Sequence, residues 1–204
     1  KTEVLAGGTD LVTCLKQHLT EPERVVSLRK IKELRGIKSE TNALRIGAMT
    51  TLAELAAHKS VQSQFPSLVT AVKSIGSPQL MNAGTVGGDL CQRPRCWFFR
   101  NGLGLFGKVG NDSLVRAGDN RYHAIFNTGG DALFVSASSL GPPLVALGAS
   151  ISVEGPGGKR REIAAAEFLR TTTSDTSRET SLKPDEIVTG VVVACVAGTI
   201  VLQS

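Results

Sequence analysis

Aromatic residues make up only 4% of the 204-residue chain, with one Trp and one Tyr. That leaves no aromatic stacking series for a nucleic-acid surface, and no helix-turn-helix signal replaces it. Cysteine is scarce: of Cys14, Cys91, Cys96 and Cys195, only Cys91 and Cys96 are close, as C-x4-C. That is neither a zinc nor a thioredoxin spacing, so reduced thiols in a cytosolic protein are expected. His18, His58 and His123 form no H-E-x-x-H or H-x-x-x-H pattern, so no metal site is expected. There is no G-x-G-x-x-G, no P-loop and no G-x-S-x-G. Heptads, a collagen period and runs of five like charges are also missing. Lys1-Thr2-Glu3-Val4 opens no signal-peptide h-region, and a cytoplasmic location follows. The uncharged, Val- and Ile-dense run Ile187 to Leu202 is shorter than the roughly 20 residues of a spanning helix. It reads as one or two buried strands, with no membrane partner.

What the chain has is glycine: 22 residues, beside 41% hydrophobic and 20% charged residues and a net charge of +5. This is a globular balance, long enough for a core without disulfides, as one large domain or two lobes. Glycine-rich and aromatic-poor composition points to tight turns and close backbone approaches. The positive charge suits an anionic ligand or partner.

Along the chain, Thr2 to Ala6 reads as a strand running into Gly7-Gly8-Thr9-Asp10. A helix then starts near Thr9 or Asp10, with Leu11, Val12, Leu15 and Leu19 at helical spacing. Arg24 to Leu28 is the next strand. Ile31, Leu34 and Ile37 suggest a short helix or turn, and Ala43 to Ala48 a strand. Thr51 and Glu54 form a capping box for a helix to about His58. Residues 60–83 read as helical, with Phe65, Leu68, Val69, Val72 and Ile75 inward and a break at Gly76-Ser77-Pro78. Gly84 to Asp89 reads as a second glycine loop. Residues 92–120 lack periodicity and form a functional loop or an insertion. Arg121 to Phe126 and Ala132 to Ser136 read as strands. A helix from Pro142 or Pro143, a hairpin of Ala149 to Glu154 with Arg160 to Ile163, a short helix Ala164 to Leu169, a polar loop over 171–182 and a strand from Ile187 complete the chain.

The two double-glycine segments each combine adjacent glycines with Thr (Thr9, Thr85) and Asp (Asp10, Asp89). They are either ordinary turns or a cradle in which the backbone wraps a pyrophosphate and threonine hydroxyls add hydrogen bonds. Trp97 reads as an anchor of the long loop. Arg93, Arg95, Arg100, Arg116 and Arg121 make that loop either a docking face for a partner subunit or a solvated basic surface.

Taken in order, Ala6-Gly7-Gly8-Thr9-Asp10-Leu11, Ile46-Gly47-Ala48-x-Thr50-Thr51-Leu52-x-Glu54-Leu55, and Ser77-Pro78-Gln79 with Gly84-Thr85-Val86-Gly87-Gly88-Asp89-Leu90 resemble one family. It is the FAD-binding medium subunit of molybdenum hydroxylases, of the xanthine dehydrogenase, aldehyde oxidoreductase and carbon monoxide dehydrogenase type. The likeness covers nearly the whole chain. It implies an α+β, two-lobed FAD-binding fold of the vanillyl-alcohol oxidase-like (PCMH) type, with the family's C-terminal domain missing. The lobes are expected at 1–60 and 61–193, with an inserted loop at 92–120 and a divergent tail at 194–204. FAD contacts implied are Leu5, Ala6, Gly7, Gly8, Thr9, Asp10, Leu11, Ile75, Thr85, Val86, Gly87, Gly88, Asp89, Ser139 and Leu182. Ser139 stands where many members have Asp, and Asp89 where the family usually has Asn.

The resemblance further implies an oxidoreductase subunit with no catalytic side chain of its own. Its flavin takes electrons from a [2Fe–2S] small subunit that serves a molybdenum-cofactor large subunit. It passes them to an external acceptor such as NAD⁺, oxygen or a quinone. The alternative is a flavin-free homologue acting as a subunit-interface module. Gln92 to Arg100 and Gly118 to Ile125 resemble the insert of periplasmic-type aldehyde oxidoreductase and 4-hydroxybenzoyl-CoA reductase flavin subunits, which makes export with a partner the alternative location. That insert holds an iron–sulfur cluster in such relatives. Here it carries only Cys96, with Cys91 just before it, and four thiolates are needed, so an insert without a cluster is expected.

Overall fold

The computed structural model describes residues 1–126, 132–172, 174 and 178–195. The chain opens with β1 (Thr2–Leu5), α1 (Leu11–Lys16), β2 (Arg24–Ser27), β3 (Ile37–Ser39) and β4 (Ala43–Gly47). Helices α2 (Leu52–Ala57), α3 (Lys59–Gln64), α4 (Pro66–Lys73), α5 (Pro78–Ala83) and α6 (Val86–Cys91) follow. The next region holds α7 (Trp97–Arg100), β5 (Lys108–Val109), β6 (Asp112–Ser113) and α8 (Leu114–Ala117). Then come α9 (Gly141–Ala146), β7 (Ser150–Glu154), β8 (Arg160–Ala164), α10 (Ala165–Phe168) and β9 (Ile187–Ala194).

β1 and β2 pair in parallel, from Thr2 opposite Arg24 to Leu5 opposite Ser27, with α1 in the connection. A five-stranded antiparallel sheet runs in the order β3-β4-β9-β7-β8. It joins residues 37–47 to residues 150–194, across the division expected at residue 60. The alternation in β4 explains its placement: Leu44 and Ile46 are buried while Arg45 points out. In β9, Val191 and Val193 are fully buried, so this run is a core strand. Burying each such side chain contributes about 1.5–3 kcal/mol. Leu52, Leu55, Leu68, Val72, Val86, Leu144 and Phe168 complete the same core from the helices and the loops beside them.

Two local devices aim the chain at the site. Thr51 Oγ1 accepts from the Glu54 amide at 3.1 Å and a Glu54 carboxylate oxygen accepts from the Thr51 amide at 2.8 Å. This is the predicted capping box. On β9, Thr189 is extra between Gly190, opposite Ser152, and Val188, opposite Val153. Its carbonyl accepts from the Ala48 amide at 3.0 Å, so the bulge fixes where the chain leaves β4.

Several expectations need correction. Gly84 to Asp89 is not a loop: Thr85 caps α6, and Gly87, Gly88 and Asp89 lie in its first turns. Ile37 belongs to a strand, β3, because Gly36 lets the chain turn after the 3₁₀ turn Lys32–Leu34. Arg121 to Phe126 and 132–136 form no strand: Ile125 and Phe126 are strongly exposed and pair with nothing in a ladder. Residues 92–120 carry two short helices and a hairpin. Of the expected tail, 196–204 lies outside the described residues. Among the described residues no helix is long and apolar enough to cross a membrane.

Candidate functional site

The two glycine segments, some eighty residues apart in sequence, meet in space. Gly7 packs against the end of α5, where a Cβ would fall 1.9 Å from the Ala83 carbonyl oxygen. Gly8 adopts φ +79°, a conformation that disfavours any side chain. A Cβ on Gly88 would be 3.8 Å from the Ala6 Cβ, which puts the two segments side by side. Backbone bonds lock the arrangement: Leu52 N to Gly84 O, Val86 N to Thr50 O and Gly87 N to Ala48 O, at 2.8–3.0 Å. The amides of Gly7, Gly8 and Thr9 have no acceptor among the described residues. Thr85 Oγ1 accepts from the Gly88 amide at 3.1 Å, which leaves its hydroxyl hydrogen available.

A cavity of about 710 Å³ opens over these segments, within the range of roughly 300–1,000 Å³ common for small-molecule sites. Ala6, Gly7, Gly8, Thr9, Asp10, Leu11, Thr85, Gly87, Gly88 and Leu182 line it. Five expected contacts lie off its wall. Leu5 packs beside Gly8, and Val86 is in the core. Ile75 packs against that core from α4's end. Ser139 and Asp89 bind each other instead: the Asp89 carboxylate accepts from Ser138 Oγ at 2.6 Å, the Leu140 amide at 2.9 Å and the Ser139 amide at 3.3 Å. Gln92 Nε2 also donates to it, at 3.0 Å. Asp89 therefore fastens the entry of α9 to α6. Sequence reasoning missed Ala48, Met49, Cys91 and Arg178 as wall residues. Ala48 and Met49 directly follow the Gly47 of a quoted motif, the one signal that marked them.

Three wall carboxylates are spent on the chain's own cations. Asp10 accepts from Arg100 Nη2 and from the Arg93 amide, both at 2.8 Å. Glu3 pairs with Arg178 at 2.8 Å, and Glu179 with Arg93 at 3.1 Å. Burial pushes the Glu3 carboxyl up, but Arg178 and Lys1 outweigh it and hold it below its usual value. No bare carboxylate among these three faces an incoming anion. Burial pushes the Cys91 thiol up to about 12, so it stays neutral on the wall. The arginines of the insert are thus mostly structural: Arg93 and Arg100 tie it to the first glycine loop, and Arg121 binds Asp119 at 2.6 Å. Trp97 anchors the insert, as expected, donating from Nε1 to the Asp119 carbonyl at 3.0 Å.

Side-chain-free backbone with unpaired amides, an apolar floor and neutralised acids fit a dinucleotide with a pyrophosphate between its halves. The class is a flavin-binding domain of α+β architecture. Residues 1–193 match the family described as the FAD binding domain in molybdopterin dehydrogenase, and the chain belongs to that family.

It is 28% identical over 189 residues to the aldehyde oxidoreductase FAD-binding subunit PaoB of Escherichia coli strain K12, covering 92% of this chain and 59% of that one. Over 88 residues it is 41% identical to the carbon monoxide dehydrogenase medium chain of Hydrogenophaga pseudoflava, covering 43% and 31% of the two chains. The solved carbon monoxide dehydrogenase of that organism, lacking the Mo-pyranopterin moiety, superposes with a TM-score of 0.66. That match has 28% identity and covers 96% of this chain and 52% of the other. The chain thus spans between about a third and three fifths of the length of these relatives.

Proposed function

We propose that this chain is the flavin-holding part of a molybdenum-hydroxylase-type oxidoreductase. It receives electrons from the [2Fe–2S] clusters of a small subunit and hands them to an external acceptor, while a large subunit with the molybdenum cofactor oxidises the substrate. The observation that carries the reading is the convergence of the two glycine segments under one cavity, with the Gly7, Gly8 and Thr9 amides unpaired. FAD supplies reversible two-electron redox chemistry when bound.

The chain's own residues bind and orient. Gly7, Gly8 and Thr9 offer amides to the pyrophosphate oxygens, and Thr85 offers its hydroxyl. Ala48 and Met49, both buried, and Leu182 supply apolar wall for the rings. Asp10 acts behind the loop, by holding the insert against it. Ile75, Val86, Asp89 and Ser139 support this wall from outside it. No side chain is assigned a proton transfer, in keeping with a subunit that relays electrons.

The visible absorption spectrum of the purified chain tests the reading, with any released cofactor identified by mass. Stoichiometric FAD is the expected result. A colourless protein that also takes up no added FAD overturns the reading in favour of a flavin-free interface module.

A further inference from the structure

The insert contains a pair the flavin site does not use. Cys96 Sγ lies 3.0 Å from His123 Nε2. Cys96 is half-buried at the N-terminal end of α7, whereas His123 is only 9% exposed. Trp97 and Phe98 hold the imidazole ring between them, with centroids at 6.4 and 5.9 Å. The His123 Nδ1 atom is buried and has no hydrogen-bond partner among the described residues. Among the described residues Nε2 alone meets a partner, so a proton is exchanged between it and the Cys96 sulfur. A buried polar atom without a partner calls for an explanation, and a catalytic or redox role is one.

We propose that Cys96 is a peroxide-reactive thiol, with His123 as its proton carrier. A nucleophile and a base within hydrogen-bond reach is the geometry this chemistry needs. The Cys96 sulfur attacks one oxygen of hydrogen peroxide. The S–O bond forms as the O–O bond breaks, and the thiol proton passes to Nε2. That proton then goes to the departing hydroxide, which leaves as water. Sulfur is oxidised by two electrons to the sulfenic acid, and the peroxide is reduced to water. The inference stands independently of the flavin assignment.

The other thiols provide internal controls. Burial pushes Cys14 and Cys91 up, and the Asp10 charge adds to this at Cys14. Cys195 has no imidazole bonded to it among the described residues. The experiment exposes the full chain to hydrogen peroxide with dimedone present and maps adducts by peptide mass spectrometry. Alkylation rates with iodoacetamide are measured in parallel. Cys96 is expected to gain the dimedone adduct about a hundredfold faster than Cys195, which is half-buried like it, the low end of general-base assistance. His123→Gln is expected to slow Cys96 by a similar factor while leaving the circular dichroism spectrum unchanged. If that variant misfolds, the comparison of Cys96 with the half-buried Cys195 in the parent chain still decides. Equal labelling of Cys96 and Cys195 overturns the proposal, as does a folded His123→Gln protein with an unchanged rate.

Discussion

Gly7→Ala probes the cradle at its tightest point. The new Cβ would lie 1.9 Å from the Ala83 carbonyl oxygen and 2.8 Å from its carbon, the first about 1.5 Å short of ordinary contact. Ala83 cannot retreat freely, because the next residue is bonded on both sides: Gly84 N to Leu80 O at 2.7 Å and Leu52 N to Gly84 O at 3.0 Å. The loop must therefore yield by about 1.5 Å. A shift of that size stretches an N–H···O bond from about 2.9 Å to beyond its useful range. Amide bonds to a charged acceptor contribute about 1.5–3 kcal/mol each. Losing two at the low end is about 3 kcal/mol, more than a hundredfold in Kd. Overpacking costs a further ~1–3 kcal/mol of stability, a fall in Tm of about 2–4 °C per kcal/mol for a chain of this size. The assay is a titration of flavin-free protein with FAD, followed by fluorescence quenching, beside a thermal melt. Gly8→Ala is the comparison. Its Cβ meets only Val12 Cγ2 and Leu5 Cδ1, at 3.3 and 3.4 Å, so its main penalty is about 1–2 kcal/mol for the positive φ. A Gly7→Ala protein that melts cooperatively and binds FAD within about threefold of the parent refutes the reasoning.

Three further outcomes follow from the same contacts. Asp89→Ala strands four donors around a carboxylate that is 7% exposed. It should lower stability by about 3 kcal/mol in urea unfolding, and a loss under about 1 kcal/mol would show that water replaces the carboxylate. Arg100→Ala leaves Asp10 without its 2.8 Å guanidinium partner in a pair whose side chains are 11% and 13% exposed. A cost of about 3 kcal/mol is expected in the same assay, and an unchanged midpoint would rule out a structural role for the pair. Hydrogen bonding to Arg161, with the Lys183 amide, holds the Glu186 carboxyl at about 2 against an ordinary 4.5. Since its folded value is the lower one, the group stabilises above about pH 4.5 and loses that contribution as pH falls towards 2. Arg161→Ala should therefore flatten the acid limb of stability against pH, and identical limbs would contradict the assignment.

What the sequence made legible was local. The capping box at Thr51 and Glu54, Pro66 at the start of α4, the β7–β8 hairpin and the buried strand β9 all rest on neighbours within a few residues. The first glycine loop was legible for the same reason, lying between a strand and a helix. The second was misread because two glycines argue against a helix, and here a cap and a tertiary contact outweigh them. The Thr85 side chain caps the Gly88 amide, and the Ala48 carbonyl receives the Gly87 amide. The cap is local, but the Ala48 bond comes from 39 residues away, which no local pattern announces.

The two aspartates show the limit most clearly. Both follow a glycine pair, and by local chemistry alone both belong with the cofactor. In the fold each carboxylate turns to protein partners about 50 to 90 residues away: Asp10 to Arg93 and Arg100, Asp89 to Ser138 and Leu140. The electrostatics explain the choice. A free carboxylate beside a pyrophosphate would repel it, and the penalty grows in a partly dry cavity. A buried guanidinium offsets that charge on Asp10, and Asp89 lies off the cavity wall with four donors on its carboxylate. Each acid thereby becomes a tie: Asp10 binds the insert to the first glycine loop, and Asp89 binds α9 to the second. A change in either tie reaches the backbone amides without touching what they hold, so affinity and stability should fall together when Arg100 is lost.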